Sequence, residues 1–492
     1  MSVKKTIIFN SFSNFIARFS INIISFFTLP IFINYFGEGK YAIFILINSF
    51  IESLVFFDFG VGTTLGKKTA EYTINRDIEK FTIYFNWTFW LTLILSAFFG
   101  IVIFFAAPLL VQVLKIDPTF FEIGIVGFRI GSFYLLLFAV LRIYQTILEG
   151  FEKFIFVNGF KFFQIVSLLV CVFFIFWWEL NFYSYLIILM IGNLFPFVVY
   201  AIYFHSKNSV SVKIGQPFFN LFQNDFWQMS RNFFAIQVTS FLFSLADKFI
   251  ISIIIGASSV VYYTVVTKIS YIVRMVNNQT LLVISPLISK ARENNDQILI
   301  SKIIKDGSMF QLLLMLPIIT TSSLFLKPFI RLWIGGDFVN FAYWGVISLL
   351  IYVLGPFSGM VQRVLIYGGF EFVVKRINYV LILINLLSSI ILTYFIGIGG
   401  VIIGSIIQTI IAIPIFKQKA KELLGIDYEM INKYSLIGFT ISFCAILVFF
   451  IFKVEENINS WPTLIVFGAI FFIVQIVFPV WHLFIRNRKF TI

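Results

Sequence analysis

The chain has 492 residues, 60% of them hydrophobic and 12% charged, with a mean hydropathy of +0.98. A soluble globular domain carries about twice that charged share, so a soluble fold is excluded. The formal net charge of +13 would point to nucleic acid in a soluble protein. Here it reports topology, because Lys and Arg gather in cytoplasmic loops, and no nucleic-acid partner is expected.

The apolar residues come in runs of roughly 20, the length that crosses a bilayer as a helix. The alternating pattern of a transmembrane strand is absent. The start, "MSVKKTII", resembles a signal-peptide n-region. The run behind it is long and carries Asn10, Asn14 and Arg18, and no small-residue cleavage site follows, so it reads as a retained first helix. Spans are predicted near 7–35, 41–65, 82–110, 119–148, 154–178 and 183–204. A second set falls near 232–255, 260–286, 307–330, 340–367, 375–396 and 398–416, and two more near 433–453 and 461–485. The fold class is thus all-α and polytopic, with about 14 transmembrane helices.

Loop charge sets the orientation. With the N-terminus inside, the inner segments hold roughly 23 Lys and Arg against about 5 outside. Both termini are expected in the cytoplasm. The outer loops "GEGK", "GASS" and "GIGG" leave no room for an external domain. The stretch "QPFFNLFQNDFWQMSR" is amphipathic and reads as a surface linker. The expected organisation is a six-helix lobe over 1–206, a cytoplasmic linker over 207–231 and a second six-helix lobe over 232–417. A loop, helices 13 and 14 and a basic tail fill 418–492.

An internal repeat supports the two lobes. "GFE" occurs at Gly150 and at Gly369, and the outer turns begin at Gly37 and Gly256; both pairs are 219 residues apart. Pro108 and Pro328 differ by 220. A constant offset argues for two halves around a central cleft, as in transporters.

Polar stripes mark what the halves face. On the first helix, Ser11, Asn14, Asn22 and Ser25 fall within roughly 40° of Arg18. On the seventh, Gln237, Ser240, Ser244 and Asp247 share a face, and Gln237 corresponds to Arg18 under the repeat. The eighth adds Thr267, Ser270, Arg274 and Asn277, with Lys268 and Tyr271 beside them. Two readings stand: a shared water-filled cavity, or interhelical hydrogen bonding in a tight bundle. Charges within a membrane span are costly and tend to be functional. The cations in the spans are Arg18, Arg129, Arg142, Lys161, Lys248, Lys268, Arg274 and Arg363. The acids Glu52, Asp58, Glu122, Glu149 and Asp247 are fewer and lie mostly near helix ends. Arg142, Lys161 and Arg363 can snorkel, which leaves Arg18, Arg129, Lys268 and Arg274 as cavity candidates. The expected substrate-binding set is Arg18, Asn14, Asn22, Ser25, Arg129, Gln237, Ser244, Lys268, Arg274 and Asn277. Asp247 and Lys248 form a coupling site or a charge pair. A cationic cavity suits an anion, and guanidinium suits phosphate.

Other motifs carry no chemistry. "FDFGVGTTLG" contains Asp-Phe-Gly but no phosphate loop, and reads as close helix packing plus a helix exit. Asn86 heads an "NWT" at the start of a span. His205 and His482 stand far apart, Cys171 and Cys444 lie in apolar runs, and no catalytic triad or metal-ligand set is found. No cofactor, metal or enzymatic activity is expected.

The segments "LPIFINYFGEGKYAIF", "FDFGVGTTLGKKTAEY", "ILEGFEKFIFVN" and "LADKFIISIIIGASSVVYYTVV" together resemble the Wzx-type polysaccharide and O-antigen flippases. These belong to the multidrug/oligosaccharidyl-lipid/polysaccharide exporter (MOP) superfamily. The resemblance implies two lobes, alternating access and a lipid-linked oligosaccharide carried on undecaprenyl diphosphate. It places the protein in a bacterial cytoplasmic membrane, with a polysaccharide polymerase and a chain-length regulator as candidate partners. A cation-coupled multidrug exporter and a peptidoglycan lipid flippase of the same superfamily are the alternatives.

Overall fold

The computed structural model describes residues 3–55, 58–75, 77–207, 225–244, 246–294, 296–428 and 433–480. Every regular element among them is helical. The chain divides into two compact units, Met1–Val261 and Tyr262–Ile492. Most of the expected linker lies outside the described residues.

In the first unit, α1 (Val3–Val55) turns at Gly37, where φ is +78°. That value suits glycine alone without cost, so α1 is two membrane limbs joined by a one-residue turn. α2 (Val61–Asn75) follows a tight turn, and α3 (Ile78–Val113) starts at an Asp77 cap whose carboxylate accepts from Lys80 N at 3.0 Å. That bond holds the Asp77 carboxyl below the usual range. Then come α4 (Phe121–Gly150), α5 (Phe154–Phe160), α6 (Phe162–Trp177) and α7 (Phe182–Lys207). α8 (Asp225–Ser244) packs on α2, and α9 (Ala246–Ile254) is tied to the end of α3 by Lys115 Nζ, which donates to Ile254 O at 2.7 Å. An aromatic core of Phe85, Tyr144, Tyr200 and Phe204 fills one end of this unit.

α10 (Ser259–Val266) crosses from one unit to the next. The second unit holds α11 (Lys268–Glu293), α12 (Gln297–Trp333), α13 (Ala342–Leu354), α14 (Pro356–Leu365), α15 (Glu371–Ile396) and α16 (Gly399–Leu424). α15 and α16 press together where Gly400 meets the Thr393 backbone and Gly404 meets Ser389. Small residues four apart allow such an approach within a membrane. α17 (Lys433–Ile451) and α18 (Trp461–Val480) pack on α12 through Phe325, Phe449 and Phe471.

The helices depart from the expected spans in segmentation. Among the described residues ten segments are long and apolar enough to cross a membrane. One of them, Phe19–Leu54, takes in most of the first span and the start of the second. The seventh and eighth spans break into α8–α9 and α10–α11, and the tenth breaks into α13–α14 before Pro356, which has no N–H to continue a helix. Counting α1 as two limbs, and adding the broken seventh and eighth spans and the shorter apolar helix Trp461–Val477, recovers the expected fourteen.

The repeat recurs in backbone detail. Asp77 and Asp296, 219 apart, both cap a long third helix, Asp296 accepting from Leu299 N at 2.9 Å. Gly37 and Gly256 both take positive φ, as do Lys115 and Gly335, 220 apart. Large apolar side chains stand outward, Phe105 at 75% and Trp177 at 72% exposure, as lipid-facing surface requires.

Candidate functional site

Polar side chains gather within each unit, with different charge balance. In the first unit the gathering begins at the turn between α1 and α2. Asp58 accepts from Gly60 N at 2.7 Å and Gly62 N at 3.1 Å. These are free donors at the start of α2, and a carboxylate there also meets the positive end of the helix dipole. Gly60 has φ +76° and lies against the backbone of α8 at Ser230 and Phe234. Ser230 Oγ donates to Thr64 Oγ1 at 2.9 Å. Gln237, three helical turns along α8 from Phe226, donates to Thr63 Oγ1 at 3.2 Å and bonds the Asp58 side chain.

One turn before, α1 presents Ser49, Glu52 and Ser53 at helical spacing. Lys248 of α9 donates to Ser49 Oγ at 3.0 Å and is attracted by Glu52 and Asp247. Arg142 of α4 faces both Glu52 and Asp58. Glu52 is enclosed by protein yet still reached by water. This group therefore holds three acids and two cations. Sequence reasoning set Glu52 and Asp58 aside as helix-end acids and Arg142 as a snorkelling residue. The spacing of Ser49, Glu52 and Ser53 was the signal for a polar face on this limb.

In the second unit α11 carries the other gathering. Ser270 is buried and bonded to Ser348 of α13. Asn277 accepts from Gln311 Nε2 of α12 at 2.8 Å. Interhelical hydrogen bonding accounts for these two positions. Arg274 lies between them, half-buried, 5.7 Å from the Tyr271 ring centroid and close enough to Tyr352 to act on its phenol. No carboxylate forms an ion pair with Arg274 among the described residues.

The remaining expected residues are placed as follows. Asn22 and Ser25 are half-buried on the first limb of α1, and Lys268 is half-buried at the start of α11. The side chains of Asn14, Arg18 and Ser244 lie outside the described residues. Arg129 forms no ion pair among the described residues and lies 5.0 Å from the Phe104 ring centroid, between α3 and α4.

Solved structures share this fold. The chain is similar to a multidrug resistance MATE family transporter of the MOP superfamily in an inward-facing conformation, with a TM-score of 0.70 at 12% identity, covering 83% of this chain and 98% of that one. It is similar to the lipid II flippase MurJ, with a TM-score of 0.70 at 16% identity over 95% and 98% of the two chains. It is also similar to a MOP superfamily transporter from Pyrococcus furiosus, with a TM-score of 0.60 at 15% identity over 86% and 96%. No curated protein matches the chain. The class is therefore a multi-pass membrane protein with the MOP-superfamily transporter fold. A family model described as polysaccharide biosynthesis protein matches residues 7–292, more than half of the chain, and the chain belongs to that family.

Proposed function

We propose that the protein is a flippase for an undecaprenyl-diphosphate-linked oligosaccharide, an O-antigen or capsule repeat unit. It moves the substrate from the cytoplasmic to the outer leaflet by alternating access. The observation that carries this reading is Arg274: a half-buried guanidinium within the membrane unit, unpaired by any described carboxylate, with phenols at Tyr271 and Tyr352. Guanidinium binds phosphate through paired N–H donors, and aromatic faces suit sugar rings. The polysaccharide family membership supports the same substrate class. Arg18 joins the proposal on the sequence pattern of its helix, with Asn14, Asn22 and Ser25. An inside-negative potential would favour outward movement of the anionic head by about 2.3 kcal/mol per charge per 100 mV. The proposed setting is a bacterial cytoplasmic membrane with both termini inside, beside a polysaccharide polymerase and chain-length regulator.

A drug exporter of organic cations would need acids free to bind them, and Lys248 and Arg142 stand against the three acids of the first unit. The test is complementation of a deletion strain. Arg274→Ala is expected to lower surface glycan to a tenth or less, about 1.4 kcal/mol or more of lost anion stabilisation, with Arg274→Lys intermediate. Arg18→Ala is run beside it. Full glycan in Arg274→Ala at normal expression would sink the phosphate role.

A further inference from the structure

We infer that Arg129 is a docking point for a lipid phosphate on the membrane-facing flank of the first unit, outside the polar groups described above. α4 turns Gly127, Phe128 and Gly131 inward; Gly127 and Gly131 lie against Ile47 of α1 and Phe128 against Phe50. It turns Val126, Phe133 and Leu137 outward, where they are exposed. At 100° per residue Arg129 falls at the border of this outward face, next to α3. Its guanidinium covers Phe104, whose ring also meets Phe133 edge-on. Phe133 and Phe105, the residue after Phe104, are 67% and 75% exposed. The cation thus lies over one aromatic ring, Phe104, on a surface that faces lipid.

Among the described residues the buried Arg129 Nε has no hydrogen-bond partner, and no carboxylate pairs with the guanidinium to meet its charge. A buried donor without an acceptor is costly, more so for a charge in a membrane. The anion available on a lipid-facing flank is a phosphate. Reach supports this. Arg129 lies eight residues into α4, about 12 Å below its first turn, and helical side chains lean toward the N-terminus. The side chain therefore points toward the headgroup layer at which α3 ends and α4 begins. Under the proposed orientation that layer is the outer one; the phosphate site itself does not depend on which substrate is carried.

The test uses the full-length protein in vesicles of phosphatidylcholine and phosphatidylglycerol. A trace phosphatidylglycerol bears a photoreactive group high on one acyl chain. Crosslinks are mapped by peptide sequencing. Wild type should label residues of α3 and α4 around Phe104 and Phe133. Arg129→Gln should lower that labelling about tenfold, the worth of one charge-assisted contact, with labelling elsewhere unchanged. Arg129→Lys keeps the charge and should retain an intermediate level, which also serves if the Gln variant fails to fold. A phosphate-free diacylglycerol glycoside with the same photoreactive chain should label this flank no more than other flanks. Equal labelling in wild type and Arg129→Gln, or equal labelling by the glycoside, would overturn the inference. So would a lowered melting temperature in Arg129→Gln with an unchanged labelling map, since that is what a purely structural arginine gives. Undecaprenyl diphosphate added as competitor separates the sources: displacement of the probe assigns the site to the substrate head, and persistence of the probe assigns it to bulk phospholipid.

Discussion

Gly60→Ala is expected to leave less than about a tenth of the folded protein in the membrane. Two independent costs act at this position. At φ +76° a side chain pays about 1–3 kcal/mol for an unfavourable backbone conformation. A methyl group would also fall inside contact distance of Ser230 O and only 2.7 Å from Phe234 N. Both are backbone atoms of α8, so no rotamer change relieves the clash. α8 would have to withdraw from α2, breaking the Ser230–Thr64 and Gln237–Thr63 bonds. Against a total stability of about 5–15 kcal/mol, that sum is large. Two other glycines separate the terms. Gly37 has positive φ but open space around it, so Gly37→Ala should pay only the conformational part. Gly359 has open space and no positive φ, and Gly359→Ala should change little. Size-exclusion yield and melting temperature in detergent read all three. Ordinary behaviour of Gly60→Ala would mean that α8 does not seat on this turn.

The same turn shows what sequence can and cannot disclose. Its glycines were legible as a helix exit, because a positive-φ turn leaves a residue-type signature. Hydropathy located the spans, because it sums over some twenty residues and tolerates local breaks. The 219-residue offset recurs at a positive-φ glycine turn and at an Asp helix cap, because each demands a particular residue type. Partners across helices were not legible. Nothing near Asn277 in sequence announces Gln311, and nothing near Ser270 announces Ser348. A helical wheel gave Arg274 a face, and elimination among the cations left Arg129, but neither says what the side chain meets. Arg129 lies beside Phe104 and outward-facing rings, and Arg274 between interhelical bonds. Glu52 and Asp58 read singly as helix-end acids, and Asp247 as a coupling site or the partner of Lys248. Their weight comes from convergence: Glu52 on α1, Asp58 at the turn and Asp247 on α9 share Arg142 and Lys248.

That convergence makes the second large effect. Lys248→Met is expected to destabilise the protein by about 2–3 kcal/mol, below the 3–5 kcal/mol of a fully dry pair because water reaches Glu52. Lys248 loses its bond to Ser49 Oγ, and Glu52 and Asp247 lose their shared cation. Glu52→Gln alone removes an acid that Arg142 and Lys248 both attract, and should cost about 1–2 kcal/mol. Combined, the two substitutions remove one charge of each sign and should cost less than their sum by about 1–2 kcal/mol. Thermal melting of the four proteins in one detergent measures this coupling. Additive losses would mean that Glu52 and Lys248 sit in one recess without interacting. Transport by the double variant then separates structure from cycle. A pair that only joins α1 to α9 predicts that regained stability brings regained surface glycan. A pair that must open and close during alternating access predicts a stable protein with the glycan still missing.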